Sequence, residues 1–220
     1  TVYAVTISSE LQPAMDAPIA ATVAAEAGAI HRIIYTNELS SAGIGNNPKD
    51  RCYLCKKYLF SRLKEFAAGE GITAILEGTN EDDLHVYRPG LRAIRELGIE
   101  SPLANVGLTK EQVRRMAQEL GISVAKRPSM PCLATRFPYG TELTLEKLKK
   151  VEDGENYVRS LGFRNVRLRV HGDIVRIEVD RETLGSLVVQ QEAVTAYLKA
   201  VGYKYITLDL EGFRYGSMDE

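Results

Sequence analysis

Short apolar runs alternate with longer amphipathic stretches along most of this chain. Val2 to Ile7 and Ile30 to Tyr35 read as strands, and between them Ala17 to Ala27 is an alanine-rich helical stretch closed by Gly28. That succession predicts a βαβ unit. After a loop from Asn37 to Lys49 the pattern predicts a helix from Arg51 to Ala68 with Asp50 as its N-cap, then a short strand from Ala74 to Leu76. Pro89 opens a helix that Gly98 ends. Thr109 and Gln112 have the spacing of a capping box for a further helix ending at Gly121. Strands alternating with helices predict an α/β fold with a parallel sheet covered on both faces.

From Thr144 the texture changes. A helix from Leu145 to Leu161 is followed by strands Val166 to Val170 and Ile174 to Val179, with Gly172-Asp173 as the turn between them. A helix from Leu184 to Val201 and a strand from Tyr205 to Leu210 complete the chain. This predicts a small C-terminal α+β domain over residues 143–220, joined near Tyr139 to Thr144 to the larger domain of residues 1–142.

Composition narrows the function. Lysine plus arginine (28) nearly balances aspartate plus glutamate (29), so no overall field favours a nucleic-acid backbone, and a small anionic substrate fits better. No apolar run is long enough to span a bilayer. Three cysteines are an odd number, and no secretory signal is present, which points to a reducing cytoplasmic setting where Cys-x-x-Cys serves metal, cluster or redox chemistry. The chain opens directly on a strand pattern at Thr1, so a preceding segment is expected.

Cys52 and Cys55 stand at i and i+3, on one face of a helix's first turn, near backbone amides that favour thiolate. Cys132 lies on an irregular loop able to fold back onto them. Three thiolates leave one position of a tetrahedral or cubane site open for chemistry. The alternatives are a redox pair with an unrelated Cys132, or a structural zinc completed by His85 or His171. Spacing alone does not choose between zinc and iron. Arg167 and Arg169 alternate along a strand, with His171 continuing the row, and Arg136 can join from the cysteine loop to grip a phosphate. The plain alternative is a row of solvated strand arginines. Glu155 and Glu178 offer oxygen ligands for magnesium, or are merely solvated charges. Gly78-Thr79-Asn80 follows a strand at the sheet edge where open α/β folds bind ligands, and is equally a simple turn.

Tyr87-Arg88-Pro89-Gly90-Leu91, Arg136-Phe137-Pro138-Tyr139-Gly140-Thr141, the run from Arg159 to Glu178, and Thr207-Leu208-Asp209-Leu210 with Gly212-Phe213-Arg214 together resemble the LarE family. That family is the sulfur transferase of nickel-pincer cofactor biosynthesis, built on the PP-loop ATP pyrophosphatase fold. The resemblance implies that ATP with magnesium adenylates the carboxylates of pyridinium-3,5-biscarboxylic acid mononucleotide and that sulfur then displaces AMP to give thiocarboxylates. It further implies that Cys52, Cys55 and Cys132 hold a 4Fe-4S cluster loaded by a sulfide donor, that Arg136, Arg167 and Arg169 bind the substrate phosphate, that Glu155 and Glu178 belong to a carboxylate metal site, and that the protein is a homo-oligomer, a hexamer in its relatives. Two departures stand out. The family's third metal-site aspartate aligns near Ser186, leaving Asp180 or Glu182 as substitutes, and its Ser-Gly-Gly-x-Asp-Ser phosphate loop is expected upstream of Thr1. Rival readings are a PP-loop enzyme that thiolates tRNA, for which Lys147, Lys149 and Lys150 form only a small basic patch, and a non-catalytic iron-sulfur or zinc sensor.

Overall fold

The computed structural model describes residues 1–214 and 217–218. It forms two compact units, one of Thr1–Ser9, Ala14–Ile44 and Pro48–Arg127, the other of Glu10–Pro13, Gly45–Asn47 and Pro128–Glu220.

In the first unit β1 (Tyr3–Ser8) and β2 (Ile30–Tyr35) pair in parallel, with Tyr3 opposite Ile30 and Ser8 opposite Tyr35. Parallel neighbours need a crossover, and α1 (Asp16–Glu26) supplies it. Just past α1, Gly28 takes the left-handed φ of +64° that lets the chain turn into β2. The strand expected at 74–76 contracts to one parallel bridge between Leu76 and Glu100. Two amides hold it, Glu100 N to the Ile75 carbonyl (3.0 Å) and Glu77 N to the Glu100 carbonyl (2.9 Å), before the chain leaves at Gly78.

The loop after β2 carries one short helix, α2 (Glu38–Ser41), and leads into α3 (Arg51–Gly69). Asp50 is the residue before α3, as expected, but its side chain makes no capping bond; its carbonyl instead accepts from the amides of Tyr53 and Leu54. α4 (Gly90–Leu97) starts against the first turn of α3. A Cβ on Gly90 would stand 3.3 Å from the Cys52 carbonyl oxygen and 2.8 Å from Lys56 Cδ, so this approach depends on the missing side chain. After α5 (Pro102–Asn105), the capping box expected for α6 (Lys110–Glu119) is formed in both directions: Gln112 N donates to Thr109 Oγ1 (3.3 Å) and Thr109 N to Gln112 Oε1 (2.8 Å).

In the second unit β3 (Val166–His171) and β4 (Ile174–Val179) form an antiparallel hairpin across Gly172-Asp173, the turn the sequence predicts. β4 also pairs in parallel with β5 (Tyr205–Leu208). The crossover between them is two helices, α8 (Leu184–Val189) and α9 (Gln191–Val201), where one helix was expected. The break follows the exposed pair Val188-Val189, whose β-branched side chains lose rotamer freedom in a helix and here bury little in return.

α7 (Leu145–Ser160) lies on one face of this sheet. A Cβ on Gly154 would stand 2.5 Å from Leu168 Cδ1 and 2.9 Å from Leu198 Cδ2, so α7 touches β3 and α9 through a glycine. Val166, Leu168, Val175 and Ile177 are buried on this face, each side chain contributing about 1.5–3 kcal/mol by leaving water. The opposite face is covered by the segment after Pro128. That is why the compact unit takes in residues 128–142, although the sequence changes texture only at 142/143. Among the described residues no helix is long and apolar enough to cross a membrane.

Candidate active site

The three thiols are divided between the units, and none is in a disulfide. Cys52 and Cys55 occupy the first turn of α3, both half-buried, on neighbouring positions of one helix face as their spacing predicts. Cys132 is half-buried in the second unit, immediately before a single 3-10 turn, Leu133–Arg136. Leu133 and Ala134 are buried behind it, and Leu133 N donates to the Leu11 carbonyl at 2.8 Å, which fixes the chain just past the thiol. Within either unit, among the described residues, no three His, Cys, Asp or Glu side chains are gathered as metal ligands, so neither His85 nor His171 completes a zinc site there. His85 bonds Glu81 (2.8 Å), and His171 ends the arginine row, its pKa lowered by partial burial and by Arg176 and Arg169.

The arginines are not solvated. Arg136, Arg167 and Arg169 are 0%, 1% and 5% exposed, and Glu155 and Glu178 are 1% and 0% exposed. β3 thus has both faces buried: valine and leucine meet α7, while the arginines meet the cysteine loop. Arg136 makes a two-point ion pair with Glu155, Nε to Oε1 at 2.8 Å and Nη2 to Oε2 at 3.0 Å. Its Nη1 lies 2.8 Å from the Pro131 carbonyl, 3.2 Å from the Cys132 carbonyl and 2.9 Å from Thr135 Oγ1. Arg167 donates to the carbonyls of Ser129 (2.6 Å) and Val166 (2.7 Å), and Arg169 to that of Thr135 (2.9 Å). All three guanidiniums therefore hold the backbone of residues 129–135.

Among the described residues, Arg136 and Arg159 pair with Glu155, Arg169 and Arg176 with Glu178, and Arg176 and Arg214 with Asp209. Among the described residues Arg167 has no carboxylate within ion-pair distance, and its Nε has no hydrogen-bond partner. Burial, then the neighbouring Arg136 charge, lowers its pKa to about 10. A buried guanidinium beside other guanidiniums is a place for an anion.

The carboxylates do not fit a cation as they stand. Glu155 accepts from Arg136 Nε and Leu168 N (3.1 Å) at Oε1, and from Arg136 Nη2 and Arg159 Nη2 (2.5 Å) at Oε2, which uses all of an ionised carboxylate's lone-pair positions. Burial would raise its pKa, but Arg136 and then Arg159 hold it below the usual carboxylate range. Glu178 accepts from Arg169 Nε (3.0 Å), Arg176 Nη2 (3.1 Å) and Ser217 Oγ (2.6 Å). A magnesium ion at either would sit among guanidiniums. Sequence reasoning missed Arg159, Arg176, Ser129, Thr135 and Ser217; of these only Arg159, four residues from Glu155 on α7, carried a readable signal.

In the first unit Thr79 is buried, while Gly78 is exposed with no atom near its missing Cβ. The organising residue is Glu77, also missed. It accepts from Ser101 Oγ (2.5 Å) and Thr79 N (3.1 Å) and pairs with Lys56 (3.6 Å), and these partners overcome the effect of burial and lower its pKa. Thr79, Arg95, Glu100, Ser101 and Asn105 line a cavity of about 480 Å³ beside the Leu76–Glu100 bridge.

No family model matches the chain. A pyridinium-3,5-bisthiocarboxylic acid mononucleotide synthase of Lactiplantibacillus plantarum is 40% identical over 219 residues, covering 100% of this chain and 79% of the relative. An uncharacterised protein of Synechocystis is 39% identical over 194 residues, 87% of this chain and 72% of its own length. Another from Methanocaldococcus jannaschii is 34% identical over 168 residues, 76% and 66% respectively.

Proposed function

The chain belongs to the LarE family, and from that premise we propose that it is an ATP-dependent sulfur transferase acting on the carboxylates of pyridinium-3,5-biscarboxylic acid mononucleotide. The observation that carries this reading beyond likeness is Arg167, a buried guanidinium against the Cys132 loop that has no ion pair among the described residues. It suits a substrate that brings its own phosphate to a sulfur-bearing residue.

A free carboxylate resists attack because its leaving group would be oxide. Transfer of AMP from ATP gives an acyl adenylate and pyrophosphate; a sulfur nucleophile then forms the C–S bond while the C–O bond to AMP breaks and AMP takes the electron pair. Arg167, whose Nε has no partner among the described residues, offers the substrate phosphate a cation away from the reacting carbon, with Arg169 beside it on the same face of β3, so that binding energy is spent on orientation. The cavity beside Thr79 is large enough for a nucleotide base and supports the Gly78-Thr79 segment as the ATP side of the reaction. Cys52, Cys55 and Cys132 are half-buried thiols, and thiolates are the ligand type that would hold a 4Fe-4S cluster. When bound, such a cluster supplies a labile sulfide from its iron without a protein ligand. Magnesium enters with ATP, as a counterion to the leaving pyrophosphate, and not through Glu155 or Glu178.

The test is anaerobic incubation of the protein with ATP, magnesium, sulfide and the biscarboxylate mononucleotide, followed by mass spectrometry. Replacement of one and then two oxygens by sulfur, with AMP released in step, is the expected result. AMP release without sulfur incorporation, or product formed equally well by a Cys132→Ala variant, would overturn the reading.

A further inference from the structure

We propose that Glu155 is a positioning residue for Cys132, acting through Arg136. The chain of contacts is continuous. Glu155 stands on α7, in the wall of the core, and meets Arg136 edge to edge at 2.8 and 3.0 Å. Leu168 N and Arg159 take its remaining lone pairs and fix the carboxylate plane. The only way Arg136 can use the rest of its fork is toward the loop, where Nη1 is surrounded by the Pro131 carbonyl, the Cys132 carbonyl and Thr135 Oγ1.

The Cys132 carbonyl is the focus of this arrangement. It accepts from Arg136 Nη1 at 3.2 Å, from Thr135 N at 3.1 Å and from Thr135 Oγ1 at 2.9 Å. Two of these bonds are local to the 3-10 turn; the third ties that turn to α7. With Leu133 N anchored on Leu11 and the Pro131 carbonyl on Arg136, the peptide groups on both sides of the thiol are held. Arg136 is fully buried, so without Glu155 it would be a charge deprived of its counterion, next to Arg167. The guanidinium would then turn away from the loop or draw in water, and in either case the grip on Cys132 is lost.

The consequence for catalysis rests on the proposed sulfur transfer, since a sulfur that must meet an acyl carbon gains from a fixed approach. The positional claim does not depend on it, and it is tested without turnover. The full chain, freed of iron by an anaerobic chelator, is alkylated with iodoacetamide, and the rate at each cysteine is read by peptide mass spectrometry. Glu155→Ala should speed alkylation of Cys132 by at least about tenfold, the scale on which losing an orienting partner acts, while Cys52 and Cys55 keep their rates. Glu155→Gln, which keeps the shape and one acceptor oxygen, should fall between wild type and alanine. If the alanine variant does not fold, Thr135→Ala removes two contacts of the clamp more gently and should raise the Cys132 rate about two- to threefold. Equal acceleration of all three cysteines, or an unchanged Cys132, overturns the proposal. A separate arm titrates Mn²⁺ by electron paramagnetic resonance: binding to wild type that disappears in Glu155→Gln would make Glu155 a metal ligand and overturn it as well.

Discussion

The chain holds its cysteines in two different ways. Cys52 and Cys55 are placed by a helix, through backbone bonds that any sequence of adequate propensity can make and a glycine on α4 that lets the next helix come close. Cys132 is placed by side chains: three buried guanidiniums reach its loop, two of them braced by buried carboxylates on α7 and β4. The first arrangement is local and repetitive. The second is long-range and charged, and each charge was taken out of water at a cost repaid only when every partner is present. Rigidity near Cys132 is therefore conditional on the whole network, whereas rigidity near Cys52 is not.

The strongest way to break this contrast is to remove one brace. Glu155→Ala should destabilise the folded chain by about 3–5 kcal/mol in urea unfolding, because it leaves Arg136 buried and unpaired. Hydrogen exchange at 129–136 should rise while that of the first turn of α3 is unchanged; equal exchange in both regions would show that the two cysteine sites do not differ as described. Acid offers a sharper version. Glu155 has a folded pKa below its ordinary 4.5, so the stability it adds is fully present above that value and is lost as pH falls through the lowered one. Wild type should therefore lose stability more steeply below about pH 4.5 than Glu155→Gln does, since the glutamine has nothing to protonate.

Smaller effects probe the scaffold beneath each arrangement. Gly154→Ala forces a methyl group against Leu168 and Leu198, and thermal melting should show a loss of about 1–3 kcal/mol despite the better helix propensity of alanine. Thr109→Ala removes a helix cap in the first unit and should cost about 1 kcal/mol, without altering the Cys132 alkylation rate.

How much of this was legible follows the same division. β1, α1, β2, the α6 capping box and the β3–β4 turn are local patterns, and the sequence predicts them to within a residue or two. The 74–76 strand was overestimated because a single bridge and a longer strand share one apolar signature. At the site, period-two alternation correctly set Arg167 and Arg169 on one face, but alternation cannot tell water from a covering loop, so their burial was invisible. Glu155 and Glu178 read as metal ligands or surface charge for the same reason. Some of their partners are near, as Arg159 is to Glu155, but Arg136 stands nineteen residues before Glu155 and Ser217 thirty-nine after Glu178, beyond any pattern of spacing.

On the loop side, the arginine clamp grips mainly peptide carbonyls, which every amino acid offers alike. The identities of residues 129 and 131 are consequently open to drift in a way that the arginines are not. An engineer who wished to present a different nucleophile at position 132 could vary residues 129 and 131 along with it, provided Thr135, Arg136 and the course of the main chain were kept.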